Sequence, residues 1–171
     1  MIRIVVDSSA DYSIEELHSK NIEQISLIVN VNEKSYRGGI DITPDELYEI
    51  LISGEAFPTT SQPSPQDILD VFEDAQEKGD SVIYITLSSA LSGTFQTANM
   101  VKNMVDYPEI HIIDSLSATH IIRVLADYAC QLRDEGKCAA EIAQAVKELQ
   151  PRVKVIAGLD TLGISFQRRT P

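Results

Sequence analysis

Short apolar runs alternate along this chain with segments in which apolar residues recur every three or four positions. Residues 2–6 form an apolar, largely β-branched run that ends at the polar turn Asp7-Ser8-Ser9-Ala10-Asp11, the pattern of a strand buried on both faces. Ser13 followed by Glu16 supplies a capping box for a short helix over Ile14–Lys20. Residues 22–31 predict a second strand, Asn32-Glu33 a turn, and residues 34–36 a run back toward the Gly38-Gly39 turn. Thr43-Pro44 opens a helix to Ile52, with proline in the first turn, where its missing N–H costs little.

The same grammar then repeats. A helix over Pro65–Lys78 stops at Gly79 and leads into a strand over Ser81–Thr86. A helix over 93–105 leads into a strand over 110–113, and residues 116–135 and Ala139–Leu149 predict two more helices before a last strand over 153–157. Strands alternating with helices imply an α/β fold, a mainly parallel β-sheet with helices on both faces, in a single domain over residues 1–171. In such a sheet the carboxyl ends of the parallel strands share one edge, where open α/β sheets bind ligands. That edge receives Asp7, Ser8 and Ser9 from the first strand, Ser88 and Ser89 from the Ser81–Thr86 strand, and Asp114 and Ser115 from the next.

Composition narrows the chemistry. With 14 basic against 26 acidic residues the net charge is −12, a field that repels nucleic acid and anionic bilayers. No apolar run reaches the roughly 18 residues of a membrane span, and residues 1–3 enter a strand without a signal-peptide pattern, so a cytoplasmic location is expected. Cys130 and Cys138 are too few for a disulfide framework and lack the further Cys or His pair that zinc requires.

Two hydroxyl-rich segments, PTTSQPSP at 58–65 and SSALSGTFQTA at 88–98, read as loops that each run straight into an amphipathic helix. Hydroxyls, free backbone N–H groups and the positive end of a helix dipole together suit an anion. Neither segment holds a Lys or Arg, which points to a carboxylate sooner than a polyphosphate. Serine hydrolysis lacks a G-x-S-x-G elbow, and His18, His111 and His120 fit structural positions better than that of a base. The rival enzyme reading is a magnesium-dependent phosphotransferase in which Asp7, Asp11 and Asp114 hold the metal. It wants a cation for the transferring phosphoryl group, and Lys154 lies inside the last expected strand. No Walker A or G-x-G-x-x-G motif supports a nucleotide.

DSSAD at 7–11, GGIDI at 38–42, TTSQPSP at 59–65, SSALSGTFQTA at 88–98, IIDS at 112–115 and DTL at 160–162 together resemble the DegV family of bacterial fatty-acid-binding proteins, over essentially the whole chain. The resemblance implies a non-enzymatic, lipid-binding carrier whose amino-terminal α/β domain grips a fatty-acid carboxylate. It also implies an acyl tunnel, no cofactor or metal, and delivery of the acid to a fatty-acid kinase subunit for phospholipid synthesis. Carried onto this sequence, Thr60 and Ser61 contact the carboxylate, and Ser92 and the Gly93 N–H complete the cradle; Asp7, Ser8, Ser9, Ser89, Asp114 and Ser115, placed by the strand ends, are expected to support it. Two departures stand out. Ala118, Thr119 and His120 replace an expected glycine-containing turn, and residues 163–169 stand where the family continues into a helical second domain. The resemblance therefore implies a chain lacking that domain.

Overall fold

The computed structural model describes residues 1–54 and 56–156. Four strands, β1 (Ile2–Asp7), β2 (Ile22–Ile25), β6 (Ser81–Thr86) and β7 (Ile110–Asp114), form an all-parallel sheet in the order β2-β1-β6-β7. Three more, β3 (Ile28–Val31), β4 (Lys34–Arg37) and β5 (Thr59–Ser61), form a small antiparallel sheet in the order β4-β3-β5. The expected α/β architecture is present, with the second sheet as an addition.

Helices cover both faces of the parallel sheet because each carries one apolar stripe. The helix α3 (Pro65–Lys78) buries Ile68, Phe72 and Ala75, and α4 (Thr94–Val105) buries Thr97, Ala98 and Val101; they pack on Val5, Val82, Tyr84 and Ile110. On the other face α5 (His120–Asp134) and α6 (Ala139–Leu149) lay Ile122, Leu125, Ile142 and Val146 on Ile4, Val6, Ile83 and Ile85, with Leu17 of α1 (Ile14–Lys20) beside them. Side chains alternate along each strand, so residues 4, 6 and 5 of β1 serve opposite layers. At the amino edge of the sheet the Arg3 guanidinium, itself buried, joins Asp80 and Asp74, and Asp80 also takes the terminal ammonium at 2.6 Å.

Capping follows the sequence closely. Ser13 and Glu16 exchange both hydrogen bonds of a capping box, and Thr43 and Glu46 do the same at α2 (Pro44–Ser53). Four expectations are corrected. Residues 22–31 are two strands, because the chain leaves the parallel sheet after Ile25 and turns at Ser26-Leu27 into the other sheet. The helix expected from 116 starts at His120, since Leu116 and Thr119 both sit at positive φ, which an α-helix forbids. Residues 59–61, expected as loop, pair as β5 with β3. Residues 153–156 form no strand, and Ala157 lies outside the described residues.

Candidate functional site

The strand order reverses between β1 and β6: the chain moves outward from β1 to β2 on one side and later returns to place β6 on the other. A crevice outside the carboxyl ends at such a point is the usual ligand position in open α/β sheets. Here the crevice widens into a cavity of about 400 Å³ between the end of β1, the helix α1 and the small sheet. That volume falls within the roughly 300–1,000 Å³ range of small-molecule pockets. Leu17, Leu27, Val29, Ile42, Leu47 and Leu87 give it apolar walls, and Ser8, Ser9, Gln24, Thr43 and Thr60 place polar groups among them. Among the lining residues Asp11 alone is charged, so no cation awaits a polyanion.

The carboxylates expected at this edge brace it from within. Asp7 is buried, and one of its oxygens accepts from the Leu87 N–H at 2.6 Å while the other accepts from the Ser9 N–H at 3.1 Å and from the Ser9 hydroxyl. It thereby pins the exits of β1 and β6 to each other across the switch point. Burial pushes its carboxyl above the usual carboxylate range, against the pull of those hydrogen bonds. One strand over, the Asp114 carboxylate braces the exit of β7, accepting from Ser89 N–H at 3.1 Å and Leu116 N–H at 2.9 Å. Ser8 Oγ accepts from Leu27 N–H at 2.9 Å and ties the small sheet to β1. A side chain at Gly38 would stand 3.3 Å from both that hydroxyl and the Leu27 carbonyl oxygen, so the close approach asks for glycine. Ser115 accepts from Ser117 N–H at 3.1 Å and donates to the Ser117 carbonyl, a local turn.

The magnesium reading required Asp7, Asp11 and Asp114 to converge on one ion. Instead Asp7 and Asp114 are engaged with backbone amides in separate loops, and Asp11 is exposed in a left-handed turn. Among the described residues no group of three or more His, Cys, Asp or Glu side chains is placed to hold a metal. Nor, among them, is any helix long and apolar enough to cross a membrane.

A family model described as an uncharacterised protein, DegV family, matches residues 1–164. The chain belongs to the DegV family. It is 38% identical over 161 residues to a DegV domain-containing protein of Clostridium acetobutylicum, covering 94% of this chain and 58% of that one. A stearic-acid-binding protein of Eubacterium ventriosum superposes with a TM-score of 0.79 at 33% identity, covering 85% of this chain and 52% of the other. The fatty acid kinase B3 protein of Streptococcus pneumoniae, solved with linoleic acid bound, gives 0.74 at 26% identity, covering 88% and 54%. The chain thus spans a little over half the length of these relatives.

Within this DegV fold the two hydroxyl segments do meet. Gln62 reaches across so closely that a Cβ on Gly93 would fall 2.0 Å from its Oε1. The residues marked for the carboxylate are distributed around that contact. Thr60 pairs with Val29 and, like Val29, lines the cavity. Ser61 is on the reverse face of β5, where its hydroxyl accepts from the Asn30 amide at 3.3 Å. Ser92 lies beside the start of α4, its Oγ accepting from Thr94 N–H at 3.3 Å and 2.9 Å from Thr94 Oγ1. The Gly93 N–H has no partner among the described residues. Sequence reasoning missed Gln62, although it sits inside the TSQPS motif, because only hydroxyls and backbone N–H groups were weighed as donors. It also missed Tyr12, a cavity residue whose ring carried no chemical signal in the sequence. The DTL segment at 160–162 and residues 163–169 lie outside the described residues.

Proposed function

We propose that this chain binds a long-chain fatty acid, with the carboxylate at the junction of the two hydroxyl segments and the acyl chain in the cavity. The observation that carries this reading is the cavity itself: an apolar, cation-free space that opens at the strand-order reversal and reaches Thr60 beside the Gln62–Gly93 contact. Thr60, Ser92 and the Gly93 N–H are the proposed carboxylate donors, and Ser61 acts from the back of β5 through its hold on Asn30. Hydroxyl and amide donors satisfy a carboxylate without a counter-ion. Affinity then comes mainly from the acyl chain, at roughly 0.8 kcal/mol per buried methylene.

The relatives named for stearic acid and linoleic acid support the substrate class, and the kinase B3 protein supports a carrier that presents its acid to a fatty-acid kinase subunit. On this reading residues 1–171 correspond to the amino-terminal α/β domain of such a carrier, and no step of bond-making or bond-breaking falls to the chain. Mass spectrometry of solvent extracts of the purified protein, paired with thermal shift on added stearate, tests it. Acyl species in the extract, or a saturable rise in melting temperature, are expected. Their joint absence would reject fatty-acid binding by this chain.

A further inference from the structure

The cavity has two different ends. Thr60 stands on β5 of the small sheet, in the segment that carries Gln62 against Gly93. Tyr12 and Leu17 line the cavity too, yet both pack with α5 against the parallel sheet. The space therefore extends from the small sheet to the α5 layer of the parallel sheet, and Tyr12 closes it on the α5 side, across from the small sheet that carries Thr60.

Tyr12 is held far more firmly than an ordinary wall residue. Its hydroxyl donates to Asp127 Oδ1 at 2.8 Å and lies 3.1 Å from the Arg123 carbonyl oxygen, so the polar tip is spent on α5. The Arg123 guanidinium stacks 4.5 Å from the ring centroid and Lys20 Nζ lies 5.9 Å from it. Both cations are themselves fixed, Arg123 by Glu16 and by the Asp11 carbonyl at 2.8 Å, Lys20 by Asp127 at 2.7 Å. Burial and the Asp127 bond push the phenol well above its ordinary range, so it stays a donor. What remains for the cavity is an apolar ring surface that cannot swing aside.

We infer that Tyr12 is the end wall of the acyl channel and sets the length of fatty acid the chain prefers. This rests on the carrier reading and adds a specificity residue to it. An acid one methylene too long would have to displace a ring anchored at its hydroxyl and both cations, whereas each methylene that fits gains about fourfold in affinity.

The test is competition among palmitate, stearate and arachidate for the purified chain, read by mass spectrometry of the bound fraction. In Tyr12→Leu the preference is expected to move toward the longer acid, by about fourfold per methylene newly accommodated. Leu17→Phe, which adds bulk at the same end, is expected to move it toward the shorter acid and keeps the assignment testable should Tyr12→Leu fold poorly. Tyr12→Phe retains the ring and is expected to keep the wild-type preference with a lower melting temperature. Wild-type preference in both Tyr12→Leu and Leu17→Phe overturns the end wall and leaves the carrier reading standing. No acid bound by the wild type overturns both.

Discussion

The parallel sheet and the small antiparallel sheet are built on opposite principles. Among the described residues, the first is sandwiched between clusters of twenty and ten buried apolar residues, the second has a cluster of Val29, Val31 and Ile42, and α2 buries no residue fully. Because stability scales with apolar area removed from water, the parallel sheet holds the fold and the small sheet is an adaptable flank. The cavity lies along their seam. A rigid edge supplies fixed amides and carboxylates, and a lightly packed flank supplies a wall that can accept a ligand without unfolding the domain.

The largest effect should come from breaking the rigid side. Phe72 is fully buried and meets the Tyr84 ring edge-on at 6.3 Å, so Phe72→Ala is expected to cost about 3–5 kcal/mol. Leu47→Ala, in the half-buried flank that lines the cavity, is expected to cost about 1 kcal/mol while weakening ligand binding. Urea midpoints at unchanged m-value measure both. Equal losses, or equal hydrogen-exchange protection in β1 and β3, would dissolve the contrast between the two sheets.

Asp7 tests how the rigid edge is held. Asn in its place turns an amide N–H₂ toward the Ser9 or Leu87 N–H, leaving buried donors face to face, and is expected to cost about 1–3 kcal/mol near neutral pH. The pH dependence has a definite sign. Burial raises the folded carboxyl above its unfolded value of about 3.9, so the folded state holds the proton more tightly there. Ionisation of Asp7 therefore costs stability above the raised value, and that cost disappears as pH falls through it. The wild type should gain stability over Asp7→Asn on acidification toward pH about 4. A difference between the two proteins that shrinks instead would contradict a raised carboxyl.

Ser92→Ala separates binding from capping. If Ser92 meets the carboxylate, its loss should cost about 1.5–3 kcal/mol of affinity, about ten- to a hundredfold. The hydroxyl also accepts from Thr94 N–H, so a drop of about 1 kcal/mol in folding stability is expected alongside. Calorimetric titration with stearate and thermal melts on the same variant read the two terms. Unchanged affinity with a lowered melting temperature would leave Ser92 a cap alone.

What the sequence disclosed follows a physical line. Local signals were legible: the Ser13–Glu16 capping box, the Thr43-Pro44 helix start, the helix stop at Gly79 and the amphipathic pattern of the Pro65–Lys78 helix depend on residues within a few positions of one another. The Asp-Ser exits of β1 and β7 were legible too, because parallel topology alone brings them to one edge. Pairings between distant residues were not. Nothing near Thr59–Ser61 marks it as a strand until β3 is beside it, and nothing in residues 22–31 marks the break at Ser26-Leu27, where the apolar pattern continues across a change of sheet. The division of Thr60 and Ser61 between two faces follows from that hidden strand, since consecutive strand residues point opposite ways. At Leu116 and Thr119 the pattern favoured helix, but a local hydrogen bond from Leu116 N–H to the Asp114 carboxylate and a tertiary one from Ser88 N–H to the Ser117 carbonyl hold the turn open.

The smallest expected effect on stability addresses the contact that joins the two hydroxyl segments. Gly93 has φ −76° and ψ 1°, a conformation open to any residue, so Gly93→Ala brings no backbone strain. The new Cβ would instead meet Gln62 Oε1 at 2.0 Å and Cδ at 3.2 Å. Gln62 is exposed and flexible, so its amide can swing away and folding stability should stay within about 0.5 kcal/mol. Affinity should fall about fivefold if that amide closes the head-group end, the weight of one neutral hydrogen bond of about 1 kcal/mol. Gln62→Ala removes the amide without adding bulk and should lose the same factor. The double variant should then lose no more than either single one, because both changes remove one and the same contact. Losses that instead multiply would show Gly93 and Gln62 acting separately, with the two segments merely adjacent and no shared carboxylate cradle between them.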